Sequence, residues 1–441
     1  MVKIGTGFVL LVVIFLMGCR TSFTTFFSAT NTPSSHQKDI SEFEQAEARG
    51  RLAYIAADGN VYVTTADRHS TIVVTDDATT RWEGIGLSYQ RISWSPDGQL
   101  AYAAVTRSGN GATTSTLFVA EQPGKPARIV GQSDDHFVIY VHWSPAYCPE
   151  RPVCRHLAYL IEEDDNISLR LVKIDGDRVE NQIIGAGWPY YFSWAADGES
   201  IIWHTDGTYR FNENAQIALY DLKQEDTQAF PLKPASFMAP AWSPRGDVWL
   251  GASSGAAGDY LQIYGVDPPV TLAVVPKGGA SFAWSPSGDQ VAYALRENST
   301  DPFFGPIYVW DVNTGQSIQI TDHGLRPLAF FWDPAGQRIG YLTWLSMPDG
   351  SWMQWRVYDL SQNKDRGFKA FNPSLQMRFV MSSFNQYAQS HRFWSPDGRY
   401  LVYGDQDETL GEQVWLIDTW SEDGHNSALI DSGTMGFWSW N

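Results

Sequence analysis

Few residues in this 441-residue chain combine types and spacing that suit chemistry. Cys148 and Cys154 flank the segment Pro-Glu-Arg-Pro-Val, with His142 and His156 close by. Two sulfurs five residues apart, without a second pair, do not complete a tetrahedral zinc site. In an oxidising compartment they read as a small-loop disulfide, and no metal is expected. No His-Glu-x-x-His and no Gly-rich phosphate loop occurs, so zinc-protease and nucleotide chemistry have no foothold. The acidic stretches Glu162-Glu163-Asp164-Asp165-Asn166 and Asp405-Gln406-Asp407-Glu408 lack EF-hand spacing and read as solvated loops. No catalytic residue and no cofactor is assigned.

Aromatic side chains with interspersed arginine make a better case for binding. Trp188, Tyr190, Tyr191, Tyr209, Arg210, Phe303, Phe304, Trp352 and His391 stand in long, irregular connections. Such residues on one face of a rigid scaffold suit a protein, peptide or glycan partner. The most distinctive connection precedes Trp394. It reads as a strand over residues 378–381, with the remainder, to His391, a lid over a channel mouth.

These connections interrupt a repeat. Trp94-Ser95-Pro96-Asp97-Gly98 returns, with variations, at Trp143, Trp194, Trp242, Trp284, Trp332 and Trp394, and a final Trp440 stands beside the C-terminus. Proline fixes φ for a tight turn and glycine supplies positive φ on leaving it, while the tryptophan suits packing between sheets. Each turn is followed by short apolar runs such as 100–104, 290–294 and 400–403. A period near 50 residues with several short strands per unit predicts an all-β propeller. The domain opens after the position of a first Trp strand and closes with one. That predicts eight four-stranded blades, one shared between the termini, with seven blades as the alternative.

Residues 1–18 hold Lys3 and an apolar run of ten, too short to span a bilayer, and read as an export signal. Residues 19–50 are polar and aperiodic and read as a tether, leaving 51–441 for the propeller. The formal net charge of -18 argues against nucleic acid and anionic lipid headgroups as partners of the folded part.

Two resemblances extend this reading. Leu16-Met17-Gly18-Cys19 resembles a bacterial lipobox, which implies lipidation of Cys19 and an extracytoplasmic, membrane-anchored domain. The Trp-Ser-Pro-Asp-Gly turn resembles the repeat of TolB-type propellers and of the propellers of prolyl oligopeptidase and dipeptidyl peptidase relatives, over residues 51–441. It implies a propeller without catalytic residues of its own, and no helical stretch here would house a hydrolase domain. The expected function is therefore a non-enzymatic binding or scaffold module of the cell envelope. The alternative is a propeller hydrolase or lyase acting on glycan or peptide at the channel mouth.

Overall fold

The computed structural model describes residues 50–80, 84–148, 154–163, 166–206, 214–235, 237–347, 350–422 and 427–441. Backbone hydrogen bonds join their strands into seven sheets, five of four strands, one of five and one of six. In the sheets of four, successive strands are neighbours, as in Gly86–Trp94, Leu100–Arg107, Thr113–Ala120 and Arg128–Asp134. First strands are buried, as at Tyr190–Trp194 and Pro327–Trp332. Last strands such as Asp226–Ala229 and Gln316–Gln319 are exposed throughout. The sheets therefore present an inner edge to the core and an outer edge to solvent, the arrangement of propeller blades.

The expectation of eight four-stranded blades, one shared between the termini, is corrected by this pairing to seven, the stated alternative. The first and last repeats are one sheet, because the twelve-residue strand Ser427–Trp438 does not break between them. Its first half pairs with Gly411–Asp418 and its second half with Leu52–Ala56, in the register Leu52↔Trp438. Seven sheets thus carry eight Trp turns, since the six-stranded sheet holds both Trp394 and Trp438. This pairing joins the two ends of the domain and covers what would otherwise be free strand edges.

The closing tryptophan is Trp438, not Trp440. Trp438 is fully buried and opposes Leu52 as Trp94 opposes Leu100. Ser439 then takes the place of the turn serine, receiving the Arg51 N–H on Oγ at 2.9 Å. Trp440 lies past the strand, where its indole donates to the Trp94 carbonyl and its ring faces Arg392.

The repeated tryptophans stitch neighbouring sheets together. The indole N–H of Trp143 donates to the carbonyl of Ser93, Trp194 to His142, Trp284 to Ala241, Trp332 to Ala283, Trp394 to Phe331 and Trp94 to Phe437, all at 3.0–3.3 Å. Each acceptor is the residue just before the preceding Trp. One residue type at one position thus satisfies an inner-strand carbonyl in the next sheet while filling the space between them.

The turn residues earn their identity in hydrogen bonds. Ser95 Oγ accepts the Gln99 N–H at 2.8 Å and donates to Asp97, and the Gly98 N–H returns to the Ser95 carbonyl. Gly98 and Gly398 have φ of 87° and 70°, a region that favours glycine. Ser395 repeats the pattern with Asp397 and Tyr400, and Asp333 substitutes for the serine by accepting the Gln337 and Arg338 N–H groups. Ser95→Ala, at a site with no solvent exposure, should therefore cost about 1–3 kcal/mol in denaturant titrations. A loss no larger than that of an exposed-site control would show the hydroxyl to be dispensable.

Among the Trp turns that lead into a hairpin, one lacks the glycine. After Trp143-Ser144-Pro145 the hairpin is closed instead by a disulfide between Cys148 and Cys154, with the Cys148 N–H on the Cys154 carbonyl. Arg155, almost fully buried, ties this hairpin to the first turn through Asp97 at 3.1 Å.

Candidate functional site: a filled channel and its rim

Residues 372–391 form a compact insertion, and their fold differs from the expected strand and lid. Leu375–Ser382 is a helix, α1, and Phe384–Tyr387 a single helical turn, α2. Ser374 caps α1, its Oγ accepting the Met377 N–H at 3.2 Å. Met377, Val380, Met381 and Phe384 are buried, and their spacing of three and four residues puts them on one helical face. The β-prone run Arg378-Phe-Val-Met suggests a strand locally, but the cap and the apolar stripe prevail once that face has a core to enter.

The insertion touches six of the seven sheets and the residue that leads into the seventh. Arg91 lies over the Phe379 ring, and His391 Nε2 donates to the Ile92 carbonyl at 3.0 Å. Tyr140 donates to the Gln386 carbonyl at 3.1 Å, and Gln389 to the Pro240 carbonyl at 3.2 Å. The Gln386 side-chain amide takes both backbone groups of Phe192, accepting its N–H at 2.8 Å and donating to its carbonyl at 2.6 Å. Phe384 packs on Phe330 and Phe331, Tyr387 on Phe437, and α2 also meets the strand Ala280–Trp284. A segment that reaches the inner strands of six sheets and the residue just before that of the seventh must lie on the axis of the ring. It fills the channel and gives inner-strand backbone groups the partners that sheet pairing leaves out.

Chemistry inside this plug is subdued. His391 is buried, with Nε2–H on Ile92 and Nδ1 taking the Ser390 hydroxyl at 2.6 Å. A neutral imidazole protonated on Nε2 satisfies both contacts. Burial holds its pKa down to about 3. His142 is likewise held to about 3, by burial and then by His391. The rings around them are Tyr140, Tyr387, Phe192 and Phe437. No carboxylate stands among these contacts, so the pair has no acid–base partner of the kind catalysis uses.

The other rim candidates separate into packed and exposed residues. Tyr190 is buried against Trp203. Its hydroxyl sits where a Cβ on Gly185 would fall, at 2.4 Å. Tyr191 is half-buried, its ring 4.6 Å from Phe237. Phe303 is buried beneath Arg326, whose guanidinium lies 3.7 Å from the ring centre, and Phe304 packs on Phe384. Trp352 is half-buried in the hairpin opposite Leu345. Trp188 is 41 % exposed, with its backbone N–H on Asp206. Tyr209, Arg210 and Cys19 lie outside the described residues. The structure thus gathers the insertion, Tyr191 and Phe304 around the channel, buries Phe303 under Arg326 and leaves Trp188 and Trp352 apart from them.

Sequence reasoning missed the exposed Ile85, Leu375 and Leu410, at 72 %, 54 % and 67 %, because isolated aliphatics in connections carry no pattern. It also passed over Gly251-Ala-Ser-Ser-Gly255, which fits the spacing of a hydrolase nucleophile elbow. That segment ends the strand Trp249–Gly255 and pairs back into Gly258–Tyr264, with Ser253 Oγ on Gln262. A strand-to-helix elbow is therefore not built there.

The sequence matches no family model and no curated protein. Solved structures do resemble it. A prolyl endopeptidase structure aligns at 13% identity with a TM-score of 0.51, covering 78% of this chain and 49% of that one. The chain thus spans about half the length of that enzyme. TolB from Acinetobacter baumannii aligns at 14% identity over 81% of this chain and 80% of its own, with a TM-score of 0.37. An oligogalacturonate lyase in complex with manganese aligns at 10% identity over 79% and 86%, at 0.47. At 13% identity the prolyl endopeptidase likeness speaks for fold alone, and with the strand order it establishes that the chain is an all-β propeller.

Proposed function

We propose that this protein is a lipid-anchored, extracytoplasmic propeller that works as a non-enzymatic binding or scaffold module of the cell envelope. Its partner is a protein, peptide or envelope polymer, met on the rim that carries Trp188 and the long connections. The observation that carries this reading is the filled channel. Gln386, His391 and Tyr140 spend their polar groups on internal contacts, so recognition falls to side chains around the plug. The TolB resemblance of the Trp turns and the lipobox resemblance at Cys19 support the same reading.

The test is a pull-down from native membranes with wild-type protein and with Trp188→Ala. A specific co-purifying component, reduced at least tenfold by the substitution, is the expected result. Turnover of a peptide or glycan library by the pure protein would replace this reading with the enzymatic one. Anchoring is tested separately by mass spectrometry of the mature N-terminus. A diacylglyceryl Cys19 is expected, and an intact Met1 would refute the anchor.

A further inference from the structure

Cys148, Cys154 and His156 converge just beyond the Trp143 turn, the hairpin turn that lacks the glycine. We propose that these three side chains form a redox-gated site for a soft divalent transition-metal ion, with zinc as the type. Oxidised, the hairpin is held by the disulfide; reduced, the same three groups close on the ion.

Geometry carries the proposal. Cys154 and His156 are two residues apart on the strand Cys154–Glu163, so both side chains leave the same face. Cys148 reaches across the hairpin to them, its Sγ 3.7 Å from His156 Nδ1 and 3.8 Å from Nε2. The three sets of ligand atoms all lie within 4.8 Å of one another. Zinc bonds of about 2.3 Å to sulfur and about 2.0–2.1 Å to nitrogen, at tetrahedral angles, require a sulfur–nitrogen separation of about 3.6 Å. The hairpin already holds that spacing. Freeing the sulfurs lets them take separate corners by rotation about their Cα–Cβ bonds, with the Cα atoms 5.2 Å apart.

The surroundings fit a cation of this kind. All three residues are buried, at 3 %, 0 % and 8 % exposure, and Trp194 stacks on the His156 ring. Arg155 leaves the opposite face of the strand, where Asp97, the Ser144 carbonyl and the Tyr147 ring hold its guanidinium. Two thiolates and a neutral imidazole give a soft donor set that suits zinc, and one coordination position remains for water or a further ligand.

The chemistry balances with a dithiol as reductant. Two electrons and two protons pass to the Cys148–Cys154 bond, which becomes two thiols, while the dithiol closes to its own disulfide. The metal ion then displaces both thiol protons to solvent as two S–metal bonds form, and His156 adds one nitrogen without losing a proton.

The experiment uses full-length protein, oxidised or reduced by a dithiol that is then removed anaerobically, titrated with Co2+ and back-titrated with Zn2+. Reduced protein should take up one equivalent of cobalt with thiolate charge-transfer and tetrahedral ligand-field absorption, lost on adding zinc. Oxidised protein should show neither band. His156→Gln should weaken binding tenfold or more, and His156→Cys should retain it with stronger thiolate bands. Circular dichroism of each form shows whether the strands persist. Absence of the cobalt bands in reduced, folded protein would overturn the proposal. So would equal affinity in His156→Gln, which would reduce the site to a bare dithiol.

Discussion

Phe384→Ala should destabilise the whole propeller by about 3–5 kcal/mol, the range for emptying a buried aromatic site. Phe384 is 4 % exposed and makes edge contacts with Phe304, Phe330 and Phe331 at ring distances of 5.4–6.3 Å. Those partners belong to the loop and inner strand around Pro327–Trp332, far from Phe384 in sequence. The cavity would open on the axis, where several sheets meet and none can close in without moving its neighbours. Leu375→Ala is the internal control, in the same insertion but 54 % exposed, and should change stability by no more than about 0.5 kcal/mol. Denaturant midpoints at constant slope read both. If Phe384→Ala proved as mild as the control, the insertion would be a lid resting on the channel rather than part of the core.

Acidification should unfold the protein steeply, through three buried histidines. Burial holds His142 and His391 to about 3 and His204 to about 4, against an ordinary value of 6.5. The unfolded chain therefore binds more protons than the folded one between pH 6.5 and the folded values. Stability from this source is intact above pH 6.5 and is lost as pH falls through that window. Each histidine tilts stability by about 1.4 kcal/mol per pH unit, so three together give about 4 kcal/mol per unit near pH 5. Stability measured from pH 7.5 to 4.5 should show a plateau, then this fall. His391→Asn should remove about a third of the slope. A flat profile to pH 5 would mean that the histidines are solvated or already charged. Below pH 4 the carboxylates stabilised as anions, such as Asp418 by Arg399, add to the loss.

The first prediction, and His391 in the second, concern the insertion, the part of the molecule that the sequence described least well. The sequence reads residues 378–381 as a strand, whereas Met377, Val380, Met381 and Phe384 form the stripe of a helix that Ser374 starts. What cannot be read locally is the surface that the stripe meets. A short amphipathic helix gains little stability alone and draws most of it from packing. Here that packing comes from residues such as Tyr140, Phe192 and Phe330, each the inner-edge residue of a different repeat. For the same reason Tyr190, Phe303 and His391 read as available aromatics and prove to be internal. Sequence pattern reports side-chain type, whereas exposure depends on what other repeats bring to the same place.

Turn chemistry was the legible part, because it is local. Trp, Ser, Pro, Asp and Gly act within five residues, through φ preferences and hydrogen bonds that need no distant partner, and their period alone predicts a ring of small antiparallel sheets. The cysteine pair was legible on the same grounds, since six positions of separation permit a small loop. The count of sheets was not. Whether Ser427–Trp438 breaks into two strands or runs on as one depends on how Gly411–Asp418 and Leu52–Ala56 lie when the termini meet. The sequence by itself thus determined the repeat, its turns and the propeller class. The tertiary structure alone decided how the ring closes, that its axis is filled, and which aromatics remain at the surface. Those outcomes rest on contacts between residues as much as several hundred positions apart, and no local preference encodes them.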